Sequence, residues 1–119
     1  MPAFRVRSAQ RDRQTDRERI NSVVNAIDAA IASAEKERSS LALRVDQARD
    51  LAAFAAGNES DEYLSREPED TKRIVGYEQQ LMAGYKRIEE LDAHIAGLIA
   101  VREVCRSRLP DQDAVRPAT

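Results

Sequence analysis

Two uninterrupted heptad frames, one on each side of the acidic stretch 58–67, constrain this chain more than any other feature. In the first frame Arg17, Val24, Ile31, Arg38, Val45 and Ala52 fall at position a. Arg13, Ile20, Ile27, Ala34, Leu41, Ala48 and Ala55 fall at d. In the second, Ile74, Leu81, Ile88, Ile95, Arg102 and Leu109 take a, and Tyr77, Gly84, Leu91, Leu98 and Cys105 take d. A repeat of 3.5 residues keeps one stripe of a helix turned toward a partner helix along its whole length. Neither frame has a phase break, so each predicts a single long helix.

The ends of those helices carry their own signals. Gly57-Asn58 follows the last apolar position of the first frame, and both residue types tolerate the left-handed conformation that closes a helix. Pro68 suits a first helical turn, where its missing N–H would be unpaired anyway, and Glu69 and Asp70 complement the positive end of the helix dipole. Arg102, Arg106 and Arg108 complement the opposite end, and Pro110 blocks continuation. The expected organisation is therefore a basic, disordered tail at 1–11 and a hairpin over 12–110, followed by a second disordered tail at 111–119. Within the hairpin, helix 1 covers about 12–57, a loop 58–67 and helix 2 about 68–109.

Helices joined by so short a loop must return antiparallel, since a parallel return needs a connection as long as the helix. The fold class expected is all-α: a two-helix antiparallel coiled-coil hairpin on the order of 60 Å long. Dimerisation into a four-helix bundle is a further expectation. In an antiparallel pair a faces d of the other helix. The register in which facing residue numbers sum to 129 sets Leu41 beside Ile88, Ala48 beside Leu81 and Gly84 beside Val45. Small residues then meet large ones near the loop, which favours this register over the alternative summing to 122. Gly76, Gly84 and Gly97 each cost helix 2 about 1 kcal/mol relative to alanine, and only Gly84 has a packing reason to be there.

Composition narrows the function classes. Of the 119 residues 34% are charged, so the core must be narrow, and the net charge of -2 argues against a general polyanion binder. The first nineteen residues hold six arginines and lack the apolar segment of a secretory signal. The apolar runs 51–56 and 95–101 are far shorter than the ~20 residues a membrane span needs. A single cysteine, Cys105, leaves no internal disulfide and fits a reducing compartment, so the expected localisation is cytoplasmic. Cys105 itself reads as a small seam residue. Arginine outnumbers lysine sixteen to three, a usage typical of GC-rich bacterial genomes.

Four features bear on function. The first is an apolar surplus outside the seam: Val23 and Leu51 at g of helix 1, Tyr85 and Ile99 at e, Val101 at g, and Val75 and Met82 at b of helix 2. A two-helix seam needs only a and d, so these seven form the expected partner-binding strip, for a second copy or a partner helix. The second is arginine at a, Arg38 and Arg102, where a guanidinium must snorkel or meet a flanking acid such as Glu35, Glu37 or Asp92. The third is charge polarity. Folding the hairpin brings residues 5–19 near 102–108, nine arginines against Asp12, Asp16, Glu18 and Glu103, a local balance of +5. Within that basic end Arg11, Arg13, Arg17, Arg19, Arg102, Arg106 and Arg108 are the candidate contact residues. The stretch 59–70 holds six acids against Arg66 alone, a balance of -5.

The fourth is the cluster Glu89, Glu90, Asp92 and His94. A ferritin-like di-metal site needs Glu-x-x-His on two helices, and no glutamate stands three residues before His94, so no metal site, catalytic residue or cofactor is assigned. No Gly-rich phosphate loop is present either, and no small-molecule substrate is indicated. In length and heptad content the chain resembles the short hairpin subunits of bacterial secretion and motility assemblies, which by analogy implies a scaffold or stalk role. The reading expected is a non-enzymatic coiled-coil interaction protein of a bacterial assembly. Its alternative is a small nucleic-acid-associated protein using the arginine-rich open end. The arm Arg5 to Arg19 lacks a base-reading asparagine and is interrupted by three acids, so nucleic acid is the less favoured partner.

Overall fold

The computed structural model describes residues 8–59 and 68–110. They form two helices, α1 (Ala9–Glu59) and α2 (Pro68–Ser107), which run antiparallel as a hairpin, with no strand among the described residues. The expected loop from residue 60 onward, with most of its acids, and the tails 1–7 and 111–119 lie outside the described residues.

Three helix ends differ from expectation by a few residues, each for a local reason. α1 starts at Ala9 rather than near 12, so 9–11 belong to the helix and not to a tail. Ser8 is the cap: its Oγ accepts from the Arg11 N–H at 3.1 Å, and its carbonyl accepts from the Asp12 N–H at 3.1 Å. Asp12 in the first turn complements the dipole. At the other end α1 continues through Gly57 to Glu59, and no described residue has positive φ. Gly57 is thus carried inside the last turns instead of closing the helix. α2 begins at Pro68 and its regular part stops at Ser107, two residues before Leu109. There the Arg108 N–H reaches the Cys105 carbonyl at 3.0 Å and the Leu109 N–H the Arg106 carbonyl at 3.1 Å, the tighter i to i+3 pattern. Pro110 disfavours helical geometry in the residue before it, which explains why the chain tightens here.

The chain divides into two compact units, Met1–Ala32 with Ala96–Thr119, and Ser33–Ile95. In the first unit Val24 and Ile31 are buried on α1, and Ile20, Ile27, Leu98 and Cys105 are half-buried around them. In the second, Ala34, Val45, Ala48 and Leu91 are buried, and Leu91 is the most enclosed side chain, at 1% exposure. Every a and d residue of both frames is buried or half-buried, so the 3.5-residue period alone determines which stripe of each helix leaves water.

Register is decided separately in each unit. In the second, Gly84 lies against Val45: a methyl group built on Gly84 would overlap Val45 Cγ2 and stand 3.8 Å from its Cβ. That pair sums to 129, whereas a shift of one heptad would put Gly84 beside Arg38. In the first unit Arg102 reaches Asp28, the residue next to Ile27, which faces Arg102 when the sum is 129. The alternative register places Arg102 opposite Ile20, two turns from that aspartate.

The glycines of α2 therefore differ in role. Gly84 admits the close approach of α1, while Gly97 has open space where a Cβ would go. Valine is stiff at χ1 and yields little room. Gly84→Ala is expected to destabilise by about 1 kcal/mol net, overpacking outweighing the gain in helix propensity. Gly97→Ala is expected to stabilise by roughly 0.5–1 kcal/mol. Urea titrations of the two variants measure both, and a second substitution, Val45→Ala, should relieve the Gly84→Ala loss.

Candidate interaction surface

Side chains that do not enter the seam are set by the same heptads. In the second unit position g of α1 stands across from g of α2, as the pair Glu37 and Arg87 demonstrates. Arg87 Nε donates to Glu37 Oε2 at 2.8 Å and Nη2 to Oε1 at 3.2 Å, and Nη1 reaches Glu90 at 3.3 Å. The opposite flank is marked by Arg38, which leaves the seam to bind Asp92 in a fork, Nε to Oδ1 and Nη2 to Oδ2, the latter at 3.3 Å. In the first unit Arg102 Nη1 donates to Asp28 Oδ1 at 2.8 Å. Both core arginines thus find an aspartate at e, one position past the d residue they face. Arg102 is the more enclosed, at 22% side-chain exposure, and its Nε is buried without a hydrogen-bond partner among the described residues. Glu103 Oε1 lies 3.8 Å from that nitrogen, close enough to offset charge but not to accept.

These pairs shift titration. Hydrogen bonding from Arg87 holds the Glu37 carboxyl below its ordinary value, against partial desolvation. Hydrogen bonding from Arg38 does the same for Asp92, and the two guanidinium groups are raised in turn by their carboxylates. All four side chains keep 42% or more of their surface in water, so the pairs add little net stability and are screened by salt.

The seven residues expected as a partner-binding strip are all large apolar side chains left in water, from Ile99 at 38% to Met82 at 73%. The helices divide them between flanks. Val23 and Val101 share the g flank of the first unit, and Ile99 lies on its e flank. In the second unit Leu51 lies on the g flank of α1, while Val75, Met82 and Tyr85 form a stripe on the other flank of α2, at spacings of 7 and 3. Leu43, Phe54 and Val104 are as exposed and were missed. They sit at f and c, outside the seam flanks, yet an apolar residue at those outermost positions was itself the available signal.

The second unit also holds an open groove of about 510 Å³ on the g side. Leu41, Arg44, Gln47 and Leu51 of α1 stand along one wall, and Gln80 and Ala83 of α2 along the other, over Val45, Ala48 and Gly84. Its origin is residue size: where α2 offers Ala83 and Gly84, no side chain fills the space beside α1.

The basic-end residues all belong to the first unit, and their charge is partly offset. Arg19 pairs with Asp16 at 3.2 Å, Arg106 with Glu103 at 3.2 Å, Arg102 with Asp28, and Arg17 bonds the Gln14 amide oxygen at 2.8 Å. Arg11, Arg13 and Arg108 make no ion pair with a described carboxylate. Among the described residues no group of three or more His, Cys, Asp or Glu is placed to hold a metal ion. In the cluster around His94, Glu90 is bound to Arg87 and Asp92 to Arg38. Cys105 is a free, half-buried thiol at its seam position. No described helix is long and apolar enough to cross a membrane.

Comparison of the chain with protein-family models, with curated proteins and with solved structures finds no match.

The carboxylates predict a pH response. With folded values lowered, Asp92 and Glu37 contribute stability that is fully present above their unfolded values and is lost as pH falls through the folded ones. The melting temperature should therefore drop as pH is lowered from about 5 toward 3. Asp92→Asn should reduce that slope while leaving the helical circular dichroism at pH 7 in place. An unchanged slope in the variant would refute the assignment.

Proposed function

We propose that this protein is a non-enzymatic interaction module, a coiled-coil hairpin that associates with itself or with a partner helix through apolar side chains outside its seam. One observation carries the reading: Leu43, Leu51, Phe54, Val75, Met82 and Tyr85 of the second unit all leave 44% or more of their surface in water. A narrow seam buries little, and side chains of this size stabilise a helical protein only when something covers them. The lone cysteine, a free thiol, supports a reducing, cytoplasmic location. A scaffold role in a bacterial assembly, of the secretion or motility kind, rests on the analogy of helix length and heptad content alone.

Sedimentation and light scattering over a wide concentration range test this. The mass should rise above the 13.3 kDa of one chain, and Phe54→Glu combined with Met82→Glu should return it toward that value with helicity unchanged. A strict monomer at every concentration that recovers no protein partner would sink the reading.

Arg11, Arg13 and Arg108, with no acid partner among the described residues, favour a second reading in which the basic end holds nucleic acid. It requires an electrophoretic shift that weakens steeply with salt and is lost when those three arginines are changed to glutamine.

A further inference from the structure

The groove and the exposed stripe of the second unit lie on opposite flanks of the seam and match each other residue by residue. Along the α1 side of the groove come Leu41 and Arg44 of the wall, Ala48 of the floor and Leu51 of the wall, at steps of 3, 4 and 3. Along the exposed stripe of α2 come Val75, Glu78, Met82 and Tyr85, at the same steps. Equal steps at ~1.5 Å per residue mean equal spacing on two α-helices, so the sets come into register when the helices run parallel. We propose that the stripe of one copy docks in the groove of a second copy, Met82 over Ala48, with Val75 against Leu41, Glu78 against Arg44 and Tyr85 against Leu51.

Size and charge both fit that occupant. Met82 is the most exposed and most adaptable apolar side chain of the stripe, and in this docking it meets the floor at Ala48, Ala83 and Gly84. Arg44 and Glu78 are exposed, and neither makes a salt bridge with a described residue, although Arg44 is also attracted by Glu37 one heptad before it. Glu89, one heptad beyond Met82 on the same face, adds a second acid and no cation to the stripe. Two stripes or two grooves brought face to face would leave Glu78 or Arg44 without an opposite charge, which disfavours the twofold-symmetric dimers. Because the two surfaces differ, the contact is heterologous and does not close after two copies.

This inference rests on the self-association proposed above, and a charge exchange separates the two. Arg44→Glu alone should weaken association about tenfold, because it sets a carboxylate at position 44 against Glu78 of the next copy. Glu78→Arg alone should do the same by opposing two cations. Both sites are exposed, so circular dichroism should show each variant folded. An equimolar mixture of the two variants should regain the wild-type affinity, because every contact then joins opposite charges, as should one chain carrying both substitutions. Sedimentation velocity reads all four samples, and the wild-type mass should keep rising past two chains. If the wild type associates but the single variants are unaffected, or the mixture fails to recover, the docking mode is wrong and self-association stands. A wild-type mass that stops at two chains also overturns it. A wild type that is monomeric throughout removes both.

Discussion

In each unit of this hairpin one guanidinium at a seam position meets an aspartate of the facing helix. Arg38 is answered by Asp92 and Arg102 by Asp28. The seam of a two-helix hairpin is otherwise permissive, because alanine, leucine and isoleucine at a and d pack acceptably when slid by a heptad. An arginine does not slide without cost, since its aspartate lies one position past the residue it faces. The Arg38–Asp92 pair is too exposed to add much stability, and the part-buried Arg102–Asp28 pair carries a desolvation cost against its attraction. Their effect is discrimination: in the shifted register both guanidinium groups would face apolar residues without an acid.

Once register is fixed, Gly84 must lie beside Val45, and two consequences follow from that contact. α1 approaches α2 closely there, because no Cβ separates them. The neighbouring Ala83 then fills little of the flank, so a groove opens on the g side. Close approach at the seam and vacancy beside it arise from the same run of small residues. The stripe of Val75, Met82 and Tyr85 sits on the other flank, where large residues on α2 project past the seam.

Much of this was legible from sequence, for a physical reason. A 3.5-residue period is a global property of a helix, so the assignment of Val24, Ile31, Val45 and Leu91 to the interior did not depend on any local detail. Register was legible too, since Gly84 beside Val45 is a size argument that numbering alone can make. Helix ends were less so. Ser8 caps α1 ahead of a run of charged residues with no apolar marker, and Gly57 remains helical because a glycine permits the left-handed state without requiring it. The partner of Arg102 was also unmarked, as Asp28 is 74 residues away and becomes adjacent only when register is known. The groove was not legible at all: it belongs to neither helix and exists only as the difference in side-chain size across a flank. The division of the apolar surplus was hidden for a related reason. Heptad letters place Leu51 and Met82 both outside the seam, but on an antiparallel pair g and b of opposite helices open to different sides.

That separation bears on how such a surface behaves. An apolar patch confined to one flank is covered completely by one symmetric contact, after which nothing is left to bind. Here the apolar area of the second unit is divided, convex on one flank and concave on the other, so a contact that covers one leaves the other in water. Under the proposed docking the driving force for a second association is nearly the same as for the first, and growth would be limited by concentration, salt and whatever caps the exposed flank. In that docking charge would set the direction of growth, with Arg44 in the groove and Glu78 in the stripe. Removing the charges while keeping the apolar side chains would preserve stickiness but lose the distinction between the flanks, which makes Arg44 and Glu78 determinants of order more than of strength.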